Sequence, residues 1–457
     1  MKKGRLYPTY IYLFWLFLVA CNSGAVRPDK QADTLPRIFP DYTDVTFPSN
    51  IAAPNFLIEE EADSYFVEIG GGDRIYFSRK GKSNEVRINA VKWANLLKER
   101  SGKDFYIRIA LKREGQWIGY KEIQNTISPL PIDPYLAYRL LYPGYELWNE
   151  MGIYQRDLTS YKVTPVIENK EVDKGCVNCH TFTQNSPETM MLHIRGTQGG
   201  TLIRRNGKSD KVSIKDIENK NPGTYAAWHP GGRYLALSAN NVNQFFHSTG
   251  SKTIEVSDSE SDLILFDAET GKTFTDSAFY GPEWMETFPA WNPAGDIFYY
   301  CRAPRETNMP PTGDLRYDLY RVAFDAANAT FGEPECVYAA ASEGYTVSHP
   351  RISPDGRYLM FCRFDYGTFS IWHPESELCL LDLTTNELRE MAEVNSADVD
   401  SYHTWSSTGD WFVFSSKRID GLWAHPHFAF FDKTTGKAGK PFLLPQKDPM
   451  FYKEFTR

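Results

Sequence analysis

Ile352-Ser353-Pro354-Asp355-Gly356-Arg357-Tyr358 and three stretches built like it decide how this chain is read. The others are Trp228-His229-Pro230-Gly231-Gly232-Arg233-Tyr234, Trp291-Asn292-Pro293-Ala294-Gly295-Asp296-Ile297 and Trp405-Ser406-Ser407-Thr408-Gly409-Asp410-Trp411. Each reads as a strand end, a tight turn closed by glycine, and the start of an apolar strand. Proline presets φ for the turn, and glycine supplies its left-handed position. Downstream of each kernel comes another strand ending in aspartate, at Asp267, Asp325, Asp382 and Asp432. The kernel glycines Gly232, Gly295, Gly356 and Gly409 lie 63, 61 and 53 residues apart. Four strands per repeat at that period predict the blades of a β-propeller.

Four motif-bearing blades over 221–445 are too few for most closed propellers. Two degenerate blades are therefore expected over 132–220, which makes six. Upstream, alternating stretches such as Tyr65-Val67-Ile69 and Phe105-Ile107-Ile109-Leu111 predict a β-sandwich-like domain over 44–131, with one short helix at 91–98. Residues 446–457 form a tail. The composition fits an all-β chain: 15% aromatic, with 28 Pro and 32 Gly in 457 residues.

Lys2, Lys3 and Arg5 precede the apolar run Tyr10 to Ala20, which is too short to span a bilayer and fits a signal peptide over 1–20. The run ends in Leu18-Val19-Ala20-Cys21, similar to the lipobox of bacterial lipoproteins, so Cys21 is the expected lipidation site and membrane anchor. An ordinary signal peptide with an incidental cysteine is the other reading. Asn22 after the cysteine favours the outer membrane, facing either the periplasm or the cell surface. Residues 21–43 then read as a polar tether. Removing the three basic residues with the signal takes the formal net charge from −8 to −11. That acidity argues against nucleic acid and against electrostatic docking on anionic lipid.

Aligning the blades on their kernels separates architecture from chemistry. Ser238, Cys301, Cys362 and Ser415 share one position, so the two thiols read as buried packing groups, and Cys336 and Cys379 are given the same role. Thr224, Thr287, Ser348 and Ser401 share another, where a hydroxyl would satisfy a backbone group. Tyr225, Phe288, His349 and Tyr402 follow them and would ring one mouth of the central channel, either lining a ligand site or filling the funnel. No G-x-S-x-G elbow, P-loop or H-E-x-x-H is present, and no carboxylate pair stands out.

Cys176-Val177-Asn178-Cys179-His180 carries the sharpest chemical signal. Two thiols at i and i+3 can each add to one vinyl group of a haem, and the adjacent imidazole can ligate the iron. Cys176 and Cys179 are thus expected to hold one covalent haem c, with His180 as proximal ligand. Met190, Met191 or His193 is the candidate distal ligand. A disulfide, a redox pair or half a zinc site are the alternatives. By blade order the segment replaces a first strand and kernel, which would put it at the channel mouth.

The kernels resemble the W-S-P-D-G-x-x-I/L-x-F signature of TolB-like, WD-repeat-like propellers. The third matches best, and the fourth departs with Ser407-Thr408. With Ile132-Asp133-Pro134-Tyr135, Pro143-Gly144-Tyr145-Glu146, the C-V-N-C-H segment and Met190-Met191-Leu192-His193, the chain resembles TolB-like propeller lipoproteins carrying a cytochrome c signature. The resemblance implies export, fold and haem, and hence electron transfer or haem-dependent redox function with a protein redox partner. The competing expectation is a non-enzymatic periplasmic scaffold for protein or small ligand, its Cys pair a disulfide. A propeller hydrolase or lyase using channel-mouth His and Tyr residues is a third.

Overall fold

The computed structural model describes residues 26–142, 150–215, 222–248, 252, 254–305 and 315–454. Cys21, the signal segment and Pro143–Glu146 lie outside them. The chain is all-β, with two short α-helices among the described residues.

The N-terminal part combines a seven-stranded sheet with a three-stranded one. The long members of the first are Ser64–Gly71, Arg74–Gly81 and Lys103–Arg113. The helix Ala90–Glu99 begins where the Asn89 side chain accepts from the N–H groups of Val91 and Lys92. Its Trp93, Leu96 and Leu97 fall on one face and are buried. The stretch read as a tether does not stand off: Lys30–Gln31 pairs in parallel with Gln116–Gly119, and Tyr42 is fully buried.

Among the described residues six antiparallel sheets follow in chain order, each built from consecutive strands, an arrangement consistent with a β-propeller. Their first strands are Tyr135–Leu141, Val177–Thr183, Gly223–Trp228, Trp284–Trp291, Thr346–Ile352 and Asp400–Trp405. The cores lie between successive sheets rather than within them. Met151, Ile153, Leu192 and Ile194 join the first to the second, and Tyr234, Leu265, Phe298 and Phe324 join the third to the fourth. Each such side chain contributes about 1.5–3 kcal/mol on burial. Asp133 accepts from Ser407 N at 2.8 Å and Arg156 donates to Pro445 O at 2.7 Å, tying the last sheet to the first. The N-terminal core also takes in Trp411, Phe428 and Phe442 of the sixth sheet.

All four kernels fold alike. In each, glycine N–H donates to the carbonyl three residues back, and the four glycines have φ between 69° and 80°. Arg233 and Arg357 in the turns reach Asp267 and Asp382, both at 2.8 Å.

Candidate functional site at the axial mouth

The first strands of the second to sixth sheets contact one another in turn, and each breaks register at the same place. The breaks fall at Asn178/Thr181, Thr224/Ala227, Thr287/Ala290, Ser348/Arg351 and Ser401/Thr404. The second residue of every break is left-handed: Cys179 (φ 49°), Tyr225 (45°), Phe288 (52°), His349 (54°) and Tyr402 (47°). None is glycine, so each carries backbone strain of about 1–3 kcal/mol that its surroundings must hold.

In the third to sixth sheets the break turns a ring towards the axis. Tyr225 meets Phe288 at 5.2 Å between centroids, Phe288 meets His349 at 4.2 Å, and His349 meets Tyr402 at 4.7 Å. Phe369 packs on Tyr225 and Phe288. The four rings thus pack on one another in series from the third sheet to the sixth. The hydroxyls before them act mostly across strands: only Thr224 donates to a backbone carbonyl, that of Ser238 at 3.1 Å. Thr287 accepts from the Ser238 hydroxyl at 3.0 Å. Cys301, Cys362 and Cys379 are buried, whereas Cys336 lies exposed on the edge strand Glu335–Tyr338, not packed as expected. Cys362 Sγ sits 3.7 Å from His403 Nδ1. Burial pushes the thiol up to about 11 and the imidazole down to about 3, so the pair is neutral and inert at pH 7.

The second sheet fits Asn178-Cys179-His180-Thr181 into this same slot, and that overturns the haem reading. Asn178 stands where the others carry a hydroxyl and pairs with His193, which stands where they carry Ser or Cys. Cys176 is buried in the core between the first and second sheets, and burial raises its pKa. Cys179 is turned the other way, towards the axis, where its charge would be felt by Tyr225 and Tyr402. His180 is held to the Ala137 backbone of the first sheet, and burial lowers it to about 4. His403 fills the equivalent place in the sixth sheet and pairs with Met360 O of the fifth at 2.9 Å. The two thiols and the imidazole therefore present no common face to one macrocycle.

The candidate distal ligands are committed elsewhere. Met191 is fully buried between the second and third sheets, Met190 packs on the opposite face, and His193 pairs with Thr201 Oγ1 at 3.3 Å. Among the described residues no group of three or more His, Cys, Asp or Glu side chains is placed to hold a metal ion. The thiols are free, so the disulfide alternative falls too.

What the sequence reading missed lies beside the ring. The second hairpin of the third sheet, Tyr234–Phe246 with Ile254–Asp267, is 13 and 14 residues long and runs past its own sheet over the fourth. Lys252 anchors it to the fifth sheet: Nζ donates to Glu375 at 2.5 Å, contacts His373 Nδ1 at 3.1 Å and lies over the Tyr366 ring. Asp258 on this hairpin is fully buried, and one carboxylate oxygen accepts from Asn240 Nδ2 at 2.6 Å. The other oxygen has no partner, nor does the buried Ser257 hydroxyl, while the Tyr317 phenol lies against the hydroxyls of Ser261 and Thr368. Burial lifts Asp258 to about 7, and its charge is felt by Tyr225 and Tyr317. Nearby on the fourth sheet, burial lifts Glu286 to about 8 despite Arg302 at 3.3 Å. The sequence signal was available: Ser257-Asp-Ser-Glu-Ser-Asp262 is far too polar for an ordinary buried strand.

No family model matches the sequence, and no curated protein matches it. Solved structures do match. A puromycin-hydrolysing peptidase of Mycobacterium tuberculosis is 13% identical over 76% of this chain and 52% of that one, with a TM-score of 0.36. A prolyl endopeptidase structure is 10% identical over 75% and 48%, with a TM-score of 0.38. A DUF4784 family protein from Bacteroides caccae is 8% identical over 78% and 95%, with a TM-score of 0.31. The chain spans about half the length of the two peptidase structures. The expected TolB-like cytochrome-signature family is thus not upheld, and with it go haem c, electron transfer and the TolB-like scaffold.

Proposed function

We propose that this chain is a propeller enzyme that performs acid–base chemistry on a small polar substrate beneath the 234–267 hairpin. In this reading the six sheets are six blades, and the N-terminal part is a sandwich-like domain docked on the sixth. The observation that carries it is the Asp258 carboxyl: fully buried, half unpartnered and lifted to about 7. A group titrating near the working pH can both take and give a proton, and such a position contributes typically about 10²–10⁴-fold to rate. Tyr225 and Tyr317, both raised well above the ordinary phenol range by burial, stay protonated and serve as hydrogen-bond donors to the substrate. The buried Ser257 hydroxyl, which has no partner, supplies a further polar contact. A buried polar group left unpaired costs about 1–3 kcal/mol, a cost that a substrate would remove by pairing with it. The lipobox-like Leu18–Cys21 supports export and anchoring at the outer membrane, through a lipid on Cys21.

Asp258→Asn tests the assignment. Asparagine keeps the shape and the Asn240 contact but removes the ionisation. The folded-state pKa lies above the unfolded one, so stabilisation by the protonated form is complete below about pH 4 and is lost as pH rises through 7. The variant is expected to melt higher than wild type at pH 8, by up to about 4 kcal/mol, with the gap closing towards pH 4. Turnover of small ester and aminoacyl-nitroanilide substrates should fall by about 10²–10⁴-fold. A variant that melts lower at pH 8 and turns over whatever the wild type does would refute the proposal.

A further inference from the structure

The second sheet carries a cavity of about 280 Å³ that the Asp258 site does not use. We propose that it binds a small oxyanion, in the form of phosphate, sulfate or a carboxylate head. Arg195 and Lys215 supply two cations, Thr201 and Ser213 supply two hydroxyls, His193 closes one wall, and no Asp or Glu is among the described lining residues. Arg195 is half-buried, and its Nε is shut off from water with no hydrogen-bond partner, a cost that an acceptor in the cavity would remove. Asp173, on the turn before Cys176, accepts from Thr197 and Gln198, both at 3.2 Å, and makes no ion pair with Arg195. An oxyanion offers what is missing: a planar or tetrahedral set of acceptors that matches the guanidinium fork, with charge for the lysine.

The backbone is shaped for close approach. Gly196 (φ 98°) and Gly200 (φ 149°) bend the connection between Ser186–Ile194 and Gly200–Arg205 around the cavity. A Cβ on Gly199 would lie 2.9 Å from Gly196 O, and one on Gly200 would lie 3.0 Å from Lys211 Cγ, so the connection holds this shape only with glycine there. His193 is held by Thr201 Oγ1, and burial lowers it to about 4, so at pH 7 it offers a neutral hydrogen bond rather than a third charge. The charge of Arg195 is also felt at Tyr225 in the axial ring.

The test is titration of the full chain with inorganic phosphate, sulfate and acetate at constant ionic strength, followed by calorimetry and by thermal melting. Saturable binding of at least one of them is expected. Arg195→Gln should weaken it by about tenfold or more, and Lys215→Gln by about threefold. Lys215 is exposed and its replacement leaves the core untouched, so the lysine variant serves even if the arginine variant folds poorly. Phosphate and sulfate binding without acetate would assign a tetrahedral anion, and acetate binding a carboxylate head. Shifts that are non-saturable and equal to those of chloride, or binding unchanged in Lys215→Gln and Arg195→Gln, would overturn the proposal. Asp258→Asn should leave this affinity intact, which keeps the two proposals separable.

Discussion

In the third to sixth sheets, the first strand breaks register at a hydroxyl followed by an aromatic ring or imidazole. In the second it breaks at Asn178 followed by Cys179 and His180. The backbone is the same in both regions, with a left-handed residue aimed at the axis, but the stabilisation differs. The four rings hold one another at centroid distances of 4.2–5.2 Å, whereas Cys179 has no ring to contribute. There the neighbouring side chains do the holding, with Asn178 Oδ1 accepting from Cys179 N at 2.8 Å and from Arg139. A strained position can therefore be maintained by packing or by polar contacts, and the residue type found there follows from which is used. The lesson for CxxCH is that its spacing has chemical meaning only where both thiols reach one face. A register break between them removes that condition.

The largest effect that would break this comparison is expected at Phe288. It lies 2% exposed, touching Tyr225, His349 and Phe369. Phe288→Ala should lower stability by about 3–5 kcal/mol in urea unfolding. Cys179→Ala, at the equivalent position, should cost under about 1 kcal/mol, since no ring packing is lost. Comparable losses at the two sites would mean that the rings are not what holds the four sheets.

An intermediate effect is expected from the two imidazoles that share a slot. Burial holds His403 at about 3 and His180 at about 4. Both folded values lie below the unfolded one, so their contribution is in place above about pH 6.5 and is lost as pH falls through the folded values. For the buried His403 that amounts to at most about 5 kcal/mol. His403→Gln keeps a donor for Met360 O but cannot titrate. Its stability should decline less steeply than that of wild type between pH 6 and 4, and His180→Gln should behave alike with a smaller difference. Unchanged pH profiles in both would show that neither imidazole ties its sheet to the preceding one.

The four kernels were legible because their cause is local: proline and glycine in a seven-residue turn act without help from the rest of the chain. The ring of Tyr225, Phe288, His349 and Tyr402 was legible as a set through alignment, though not whether it lines or fills the mouth, since that depends on Phe369 from a distant connection. The second sheet was misread because it lacks the kernel. With nothing to align on, Asn178 could not be matched to Thr224, nor His193 to Ser238, and the cysteine spacing was read as chemistry. The Asp258 cluster was hidden for a different reason: it exists only because one hairpin overruns its sheet and reaches the fifth, a tertiary fact that no local pattern carries.

The smallest effect concerns the turn that replaces a kernel in the second sheet. Gln184 (φ 46°) and Asn185 (φ 61°) join Val177–Thr183 to Ser186–Ile194, both left-handed. A two-residue hairpin turn of this kind prefers glycine, and asparagine tolerates it, but glutamine does not. The next hairpin of the same sheet uses Asn206-Gly207, the favoured pair. Gln184→Gly should therefore relieve strain and raise stability slightly, the gain reduced by the extra freedom glycine has in the unfolded chain. A net increase of about 0.5 kcal/mol is expected in urea unfolding. Gly409→Ala, in the sixth-sheet kernel at φ 73° and with Pro354 Cδ 3.1 Å from the added Cβ, should instead cost 1 kcal/mol or more, about the left-handed penalty plus the contact. Opposite signs at the two turns would separate a sheet that uses the kernel from one that manages without it. A loss at Gln184 would mean that its side chain supports the second sheet in a way that backbone geometry alone does not reveal.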